Sequence, residues 1–126
     1  MASSNPYQNY KEQSILTMTS GELLLVLYDE CIKSLNFAVY YIDEEKKPEE
    51  CEKLIKKTQR IIHYLDGILD YKYEISTNLH MLYDYFIRTL VKANVGKKSE
   101  VLKPLIPMIE ELRNAFAQAD KNIRIK

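Results

Sequence analysis

The chain has 126 residues, and its 18 basic and 18 acidic side chains balance to a formal charge of zero. This length makes one domain, which buries roughly two-thirds of the surface its unfolded chain exposes, enough for a hydrophobic core. Neutrality weighs against electrostatic capture of nucleic acid or an acidic membrane, and three glycines and four prolines suit long helices rather than short strands with tight turns.

Residues 1–18 are polar with interleaved aromatic and aliphatic groups (Tyr7, Tyr10, Ile15, Leu16, Met18), which predicts an arm or short helix that docks on the body as a lid. The opening Met1-Ala-Ser-Ser-Asn-Pro6 has no basic start and no apolar run, so the chain is expected to lack a secretory signal and to be cytoplasmic. Thr19-Ser-Gly-Glu22 is a capping box, in which the Thr19 hydroxyl accepts from a first-turn amide while Glu22 reaches back. A first helix over about Glu22–Asp43 follows, with Leu24, Leu27, Tyr28, Cys31, Leu35, Ala38 and Ile42 at three- and four-residue spacing. Its Leu23–Tyr28 stretch, the longest apolar run in the chain, is far short of the roughly 20 residues that span a bilayer.

Pro48 suits the first position of a second helix, where its missing amide hydrogen would be unpaired anyway. Glu49, Glu50 and Glu52 complement the helix dipole, and Lys53 and Lys56 follow Glu49 and Glu52 at the favourable four-residue spacing. The stripe Leu54/Ile55, Thr58, Ile61/Ile62, Leu65, Ile68/Leu69 carries this helix to about Tyr71. A third helix starts between Glu74 and Asn78, with Ser76 or Thr77 as cap, and ends near Val95, where Gly96 fits a left-handed stop. The fourth carries Leu102, Leu105, Ile109, Leu112, Phe116, Ala119 and Ile123. Pro104 fits its start, and Pro107 is expected to kink it. The fold class is therefore all-α: an antiparallel four-helix bundle over residues 19–126 behind the arm.

Chemistry-bearing residues are few. Cys31 sits on an apolar stripe, Cys51 lies near a charged helix start, and no second Cys/His pair completes a four-ligand metal set, so both read as ordinary thiols. A di-metal bundle site needs Glu-x-x-His, but residue 60 is Arg and residue 77 is Thr, three before His63 and His80. Three isolated glycines make no phosphate loop. No catalytic residue, metal or cofactor is expected. The chemical alternative is His63-Tyr-Leu-Asp66-Gly67, similar to the His-x-Leu-Lys-Gly stretch of histidine phosphotransfer domains, with Asp66 where those carry lysine.

The first and third helices have more apolar surface than one buried face needs. Met81, Tyr83, Tyr85, Ile87 and Val91 add to a stripe of Leu79, Leu82, Phe86, Leu90 and Ala93. Helices apolar all round are normally buried all round, and a small bundle leaves each helix an outer face. Either these are inner helices further shielded by the arm, or the surplus forms a groove for a partner. Ten tyrosines and no tryptophan favour a groove, since tyrosine is enriched where apolar interfaces meet water.

Several blocks carry a family resemblance. Asn5-Pro-Tyr-Gln-Asn-Tyr10 is similar to an Ala-Tyr-x-x-Tyr opening, Thr19-Ser-Gly-Glu-Leu23 before Leu27-Tyr28 to Ser-Pro-x-Glu-Leu before Leu-Tyr, and Asn78-Leu-His-Met-Leu-Tyr-Asp-Tyr85 with Arg88, Leu90 and Ala93-Asn94 to Asn-Leu-x-x-Leu-Tyr-Asp-Tyr-Met-x-x-Arg-Leu-x-x-Ala-Asn. In these, and in Glu110-Glu-Leu-Arg113, the chain resembles the flagellar secretion chaperone FliS family. It departs at Ser20, at Tyr71-Lys-Tyr73 and at Phe116, where members carry proline, Gly-Gly and tryptophan. The resemblance implies a helical bundle that binds the C-terminal region of flagellin in apolar grooves, prevents premature polymerisation and presents it to the export apparatus. Client contacts are expected at Tyr7, Tyr10, Ile15, Leu24, Tyr28, Tyr83, Ile87, Leu90, Val91 and Asn94, in a monomer or homodimer that neither binds nucleic acid nor inserts in membranes.

Overall fold

A computed structural model describes residues 20–125, with side chains through Lys121. Four long helices, α1 (Ser20–Asp43), α2 (Pro48–Gly67), α3 (Ile75–Gly96) and α5 (Leu105–Ile125), are joined by short connections and a one-turn helix, α4 (Ser99–Leu102). No strand occurs among the described residues. Cross-helix pairs fix an up-down-up-down order. Glu30 of α1 meets Lys57 of α2, Asp66 and Glu52 of α2 meet His80 and Lys97 at the two ends of α3, and Asp29 of α1 meets Arg113 of α5.

The core is the set of apolar stripes turned inward. Tyr28, Cys31, Leu35 and Ala38 of α1 face Cys51, Ile55, Ile62 and Leu65 of α2, while Leu79, Tyr83, Phe86, Leu90 and Ala93 come from α3. Leu102, Leu105 and Ile109 close one end. Buried hydroxyls are satisfied locally: Thr58 donates to the Leu54 carbonyl, Ser76 to the Asp70 carbonyl and Ser99 to the Asp43 carboxylate.

Several boundaries differ from the expectation for physical reasons. The α2 helix stops at Gly67 rather than near Tyr71: the Ile68 amide makes the last four-residue bond, to the Tyr64 carbonyl, and the Leu69 amide then tightens to the Asp66 carbonyl three residues back. At the end of α3 the left-handed residue is Lys97 (φ 50°), not Gly96. The Lys98 amide closes the turn on the Ala93 carbonyl, and the Lys97 ammonium caps it by donating to the Asn94 carbonyl and side chain. Neither Ser76 nor Thr77 caps α3. Pro107 falls in the first turn of α5, where the amide hydrogens have no intrahelical acceptor, so it deletes no helix bond. Lys56 pairs with Glu52 as expected, whereas Lys53 pairs with Glu50. Cys51, near the charged start of α2, is fully buried. Thr19 and its half of the capping box lie outside the described residues.

Candidate functional site

Close backbone packing runs from α5 to α1, from α1 to α2 and from α2 to α3, and α4 ties α3 back to α1 and α5. The fourth side of the square, between α3 and α5, lacks such packing among the described residues. A seam of about 290 Å³ lies there, lined by Leu82 of α3 and by Met108, Glu111, Leu112 and Ala115 of α5. Past Ile109 no described α5 side chain is fully buried, and Leu112 and Phe116 stay partly exposed. Met81 and Tyr85, one turn apart on α3, are 64% and 43% exposed. Contiguous exposed apolar surface of this kind is a feature that binding sites share.

A second apolar recess of about 110 Å³ sits between the start of α1 and the end of α2, lined by Ser20, Leu23, Leu24, Leu27, Tyr64 and Ile68. Tyr64 and Ile68 are half exposed, as are Tyr71 and Tyr73 in the α2–α3 connection and Ile75 at the start of α3. The apolar stripe of α2 takes in Ile68 only if the helix runs one turn further, and its end at Gly67 turns Ile68 outward.

The structure divides the expected contact residues. Tyr28, Tyr83 and Leu90 have no more than 2% of their surface exposed, so they are core side chains and present nothing to a partner in this conformation. Their helix faces point to the bundle axis, as three- and four-residue spacing from Cys31 and Phe86 requires. Leu24 and Ile87 are partly buried against the core, Asn94 is partly buried, and Val91 is half exposed. Tyr7, Tyr10 and Ile15 lie outside the described residues. Leu24 lines the second recess. Leu82, Met108, Leu112 and Ala115, which line the seam, are not among the residues that sequence reasoning assigns to a site.

Inside the bundle, the Tyr28 and Tyr83 hydroxyls share a hydrogen bond across the α1–α3 diagonal. The Tyr28 ring stacks on Phe116 of α5, with centroids 5.7 Å apart and planes at 20°. Burial, with the hydrogen bond to Tyr83 added, raises the Tyr28 phenol well above its ordinary value, and burial raises Tyr83 as well. Burial likewise pushes the Cys31 thiol up to about 12, which leaves it protonated and unreactive. The alternative phosphotransfer chemistry finds no support in the geometry. His63 is exposed, but Asp66 accepts from His80 at 2.7 Å and sits where a phosphoryl group would need positive charge. The hydrogen bond and charge of Asp66 raise the His80 pKa. Among the described residues no group of three His, Cys, Asp or Glu is placed to hold a metal ion, and no helix is long and apolar enough to cross a membrane.

Comparison with known proteins agrees with this arrangement. A family model described as "Flagellar protein FliS" matches residues 3–123. The chain is 36% identical over 124 residues to the flagellar secretion chaperone FliS of Bacillus subtilis (strain 168), covering 98% of this chain and 92% of the relative. It is 27% identical over 109 residues to the flagellar secretion chaperone FliS of Salmonella typhimurium (strain LT2), covering 85% of this chain and 81% of the relative.

Proposed function

This chain belongs to the FliS family of flagellar proteins, and from that premise we propose that it is a cytoplasmic export chaperone for flagellin. It binds the C-terminal segment of flagellin in apolar grooves, keeps it from polymerising early and hands it to the export apparatus. The family is one of chaperones, not of enzymes.

The observation that carries the proposal is the open α3–α5 side of the bundle, whose walls are Leu82, Met108, Leu112 and Ala115. A client segment lying there as a helix completes the layer that the chain leaves unfinished. Ordering a disordered segment costs roughly 2–5 kcal/mol or more, and each well-buried Leu, Ile or Phe anchor returns about 1.5–3 kcal/mol. Three or four anchors therefore offset the ordering and leave useful affinity. Ile87, Val91 and Asn94 lie on the other side of α3 from Leu82, nearer α2, and stand as a separate proposed contact. The recess at Leu24, Tyr64 and Ile68 lies where the chain enters α1, and the arm bearing Tyr7, Tyr10 and Ile15, read from the sequence as a lid, lies outside the described residues.

Calorimetric titration with a peptide from the flagellin C-terminus tests the proposal. The expected result is a stoichiometric complex with a negative heat-capacity change, the mark of apolar burial. Absence of binding at high micromolar peptide sinks it.

A further inference from the structure

Among the described residues the two helices that flank the open seam lack close backbone packing on each other, yet a chain of three aromatic rings joins them through a third helix. Phe116 of α5 stacks on Tyr28 of α1, and the Tyr28 hydroxyl bonds that of Tyr83 on α3. This chain lies at the level of the seam, since Tyr83 follows Leu82 and Phe116 follows Ala115. We propose that the Phe116–Tyr28–Tyr83 chain sets the separation of α3 and α5, making Tyr28 and Tyr83 positioning residues that hold the seam at the width its occupant needs.

Two features separate this role from ordinary core filling. An apolar pair would fill the same space, but a hydroxyl–hydroxyl bond is directional and fixes a distance, whereas dispersion contacts tolerate sliding. The bond also spans the α1–α3 diagonal, across which the backbones make no close packing of their own. Elsewhere α3 is held from one flank by α2 and at its C-terminal end by α4. Loss of the bond therefore frees the N-terminal half of α3, which borders the seam, more than any other part of the bundle.

That the occupant is a flagellin segment rests on the preceding proposal, and the test separates the two. Four methionines occur in the chain, and Met108 lines the seam while Met81 stands on the exposed face of α3. Labelled methionine methyl groups thus report on the seam without client. The Tyr28→Phe/Tyr83→Phe double variant removes both hydroxyls and leaves neither unpaired. The expected result is a shifted or broadened Met108 signal, with flagellin-peptide affinity lowered roughly three- to tenfold, the scale of one net hydrogen bond. Ile55→Val, in the core away from the seam, is the control for general loosening and should leave Met108 in place. Phe116→Leu, at a partly exposed position, breaks the stack instead and should also move Met108, which keeps the proposal testable if the double variant does not fold. An unmoved Met108 signal in the folded variants overturns the inference, as does a shift of equal size in Ile55→Val. If wild-type protein fails to bind the peptide, the client assignment falls, and Met108 alone decides the role of the rings.

Discussion

Leu90 and Val91 are adjacent in α3 and chemically alike, but the bundle treats them oppositely: Leu90 is fully buried and Val91 is 49% exposed. Replacing Leu90 by Ala removes three carbon atoms from a core that also holds Tyr83, Phe86 and Ala93 on the same helix face. At about 0.8 kcal/mol per buried methylene the transfer loss is about 2.4 kcal/mol, and the cavity left behind carries the total to about 3–5 kcal/mol. For a domain of this size that lowers the melting midpoint by roughly 10–25 °C. Val91→Ala should change stability by no more than about 0.5 kcal/mol, because its outer half already meets water. Urea unfolding followed by helical circular dichroism measures both, with an unchanged slope expected in each. Equal losses for the two variants, or a loss below about 1 kcal/mol for Leu90→Ala, would refute the assignment of Leu90 to the core and restore it as a candidate contact.

The His80–Asp66 bond raises the folded-state pKa of His80. Its contribution is thus fully present below the ordinary histidine range near 6.5 and is lost as pH rises through the raised value. His80→Gln should flatten the stability profile in that interval, and an unchanged profile would mean the pair is uncoupled from folding. Asp43 behaves oppositely. Donation from Ser99 and Lys103 lowers its pKa, so its contribution is present above the ordinary carboxylate range and fades on acidification, and Ser99→Ala should shrink the acid-side loss. Gly67 has open space where a Cβ would stand and no left-handed backbone, so Gly67→Ala should stabilise α2 by about 0.5–1 kcal/mol in thermal unfolding; destabilisation would reveal a contact absent from this structure.

The helices are legible in the sequence because their signals are local. Pro48 and its glutamates open α2 where they should, and the three- and four-residue spacing of Tyr28, Cys31, Leu35 and Ala38 marks the buried face of α1. Boundaries set by backbone bonding are not legible. Nothing in Leu69 announces that its amide tightens to Asp66, and the left-handed Lys97 depends on its ammonium finding Asn94 and Glu52, the latter more distantly at 3.5 Å. The surplus of apolar residues on α3 is plain from its composition, but periodicity alone does not say which of them face the axis. Tyr83 and Leu90 point inward, Met81 and Tyr85 outward. The seam itself depends on how far apart α3 and α5 stand, a tertiary distance that no single-helix pattern contains.

Ala115 is the exposed small residue on the α5 wall of the seam, and it offers the most direct test of where the client lies. Ala115→Arg keeps a good helix former at an exposed position while placing a long charged side chain across the groove. Titration of the C-terminal flagellin peptide into this variant and into wild-type protein, with folding checked by circular dichroism, is the decisive comparison. Loss of one or more anchors should weaken binding by about ten- to a hundredfold or beyond, with helix content unchanged. Equal affinity in the two proteins would contradict the assignment of the α3–α5 seam as the flagellin site.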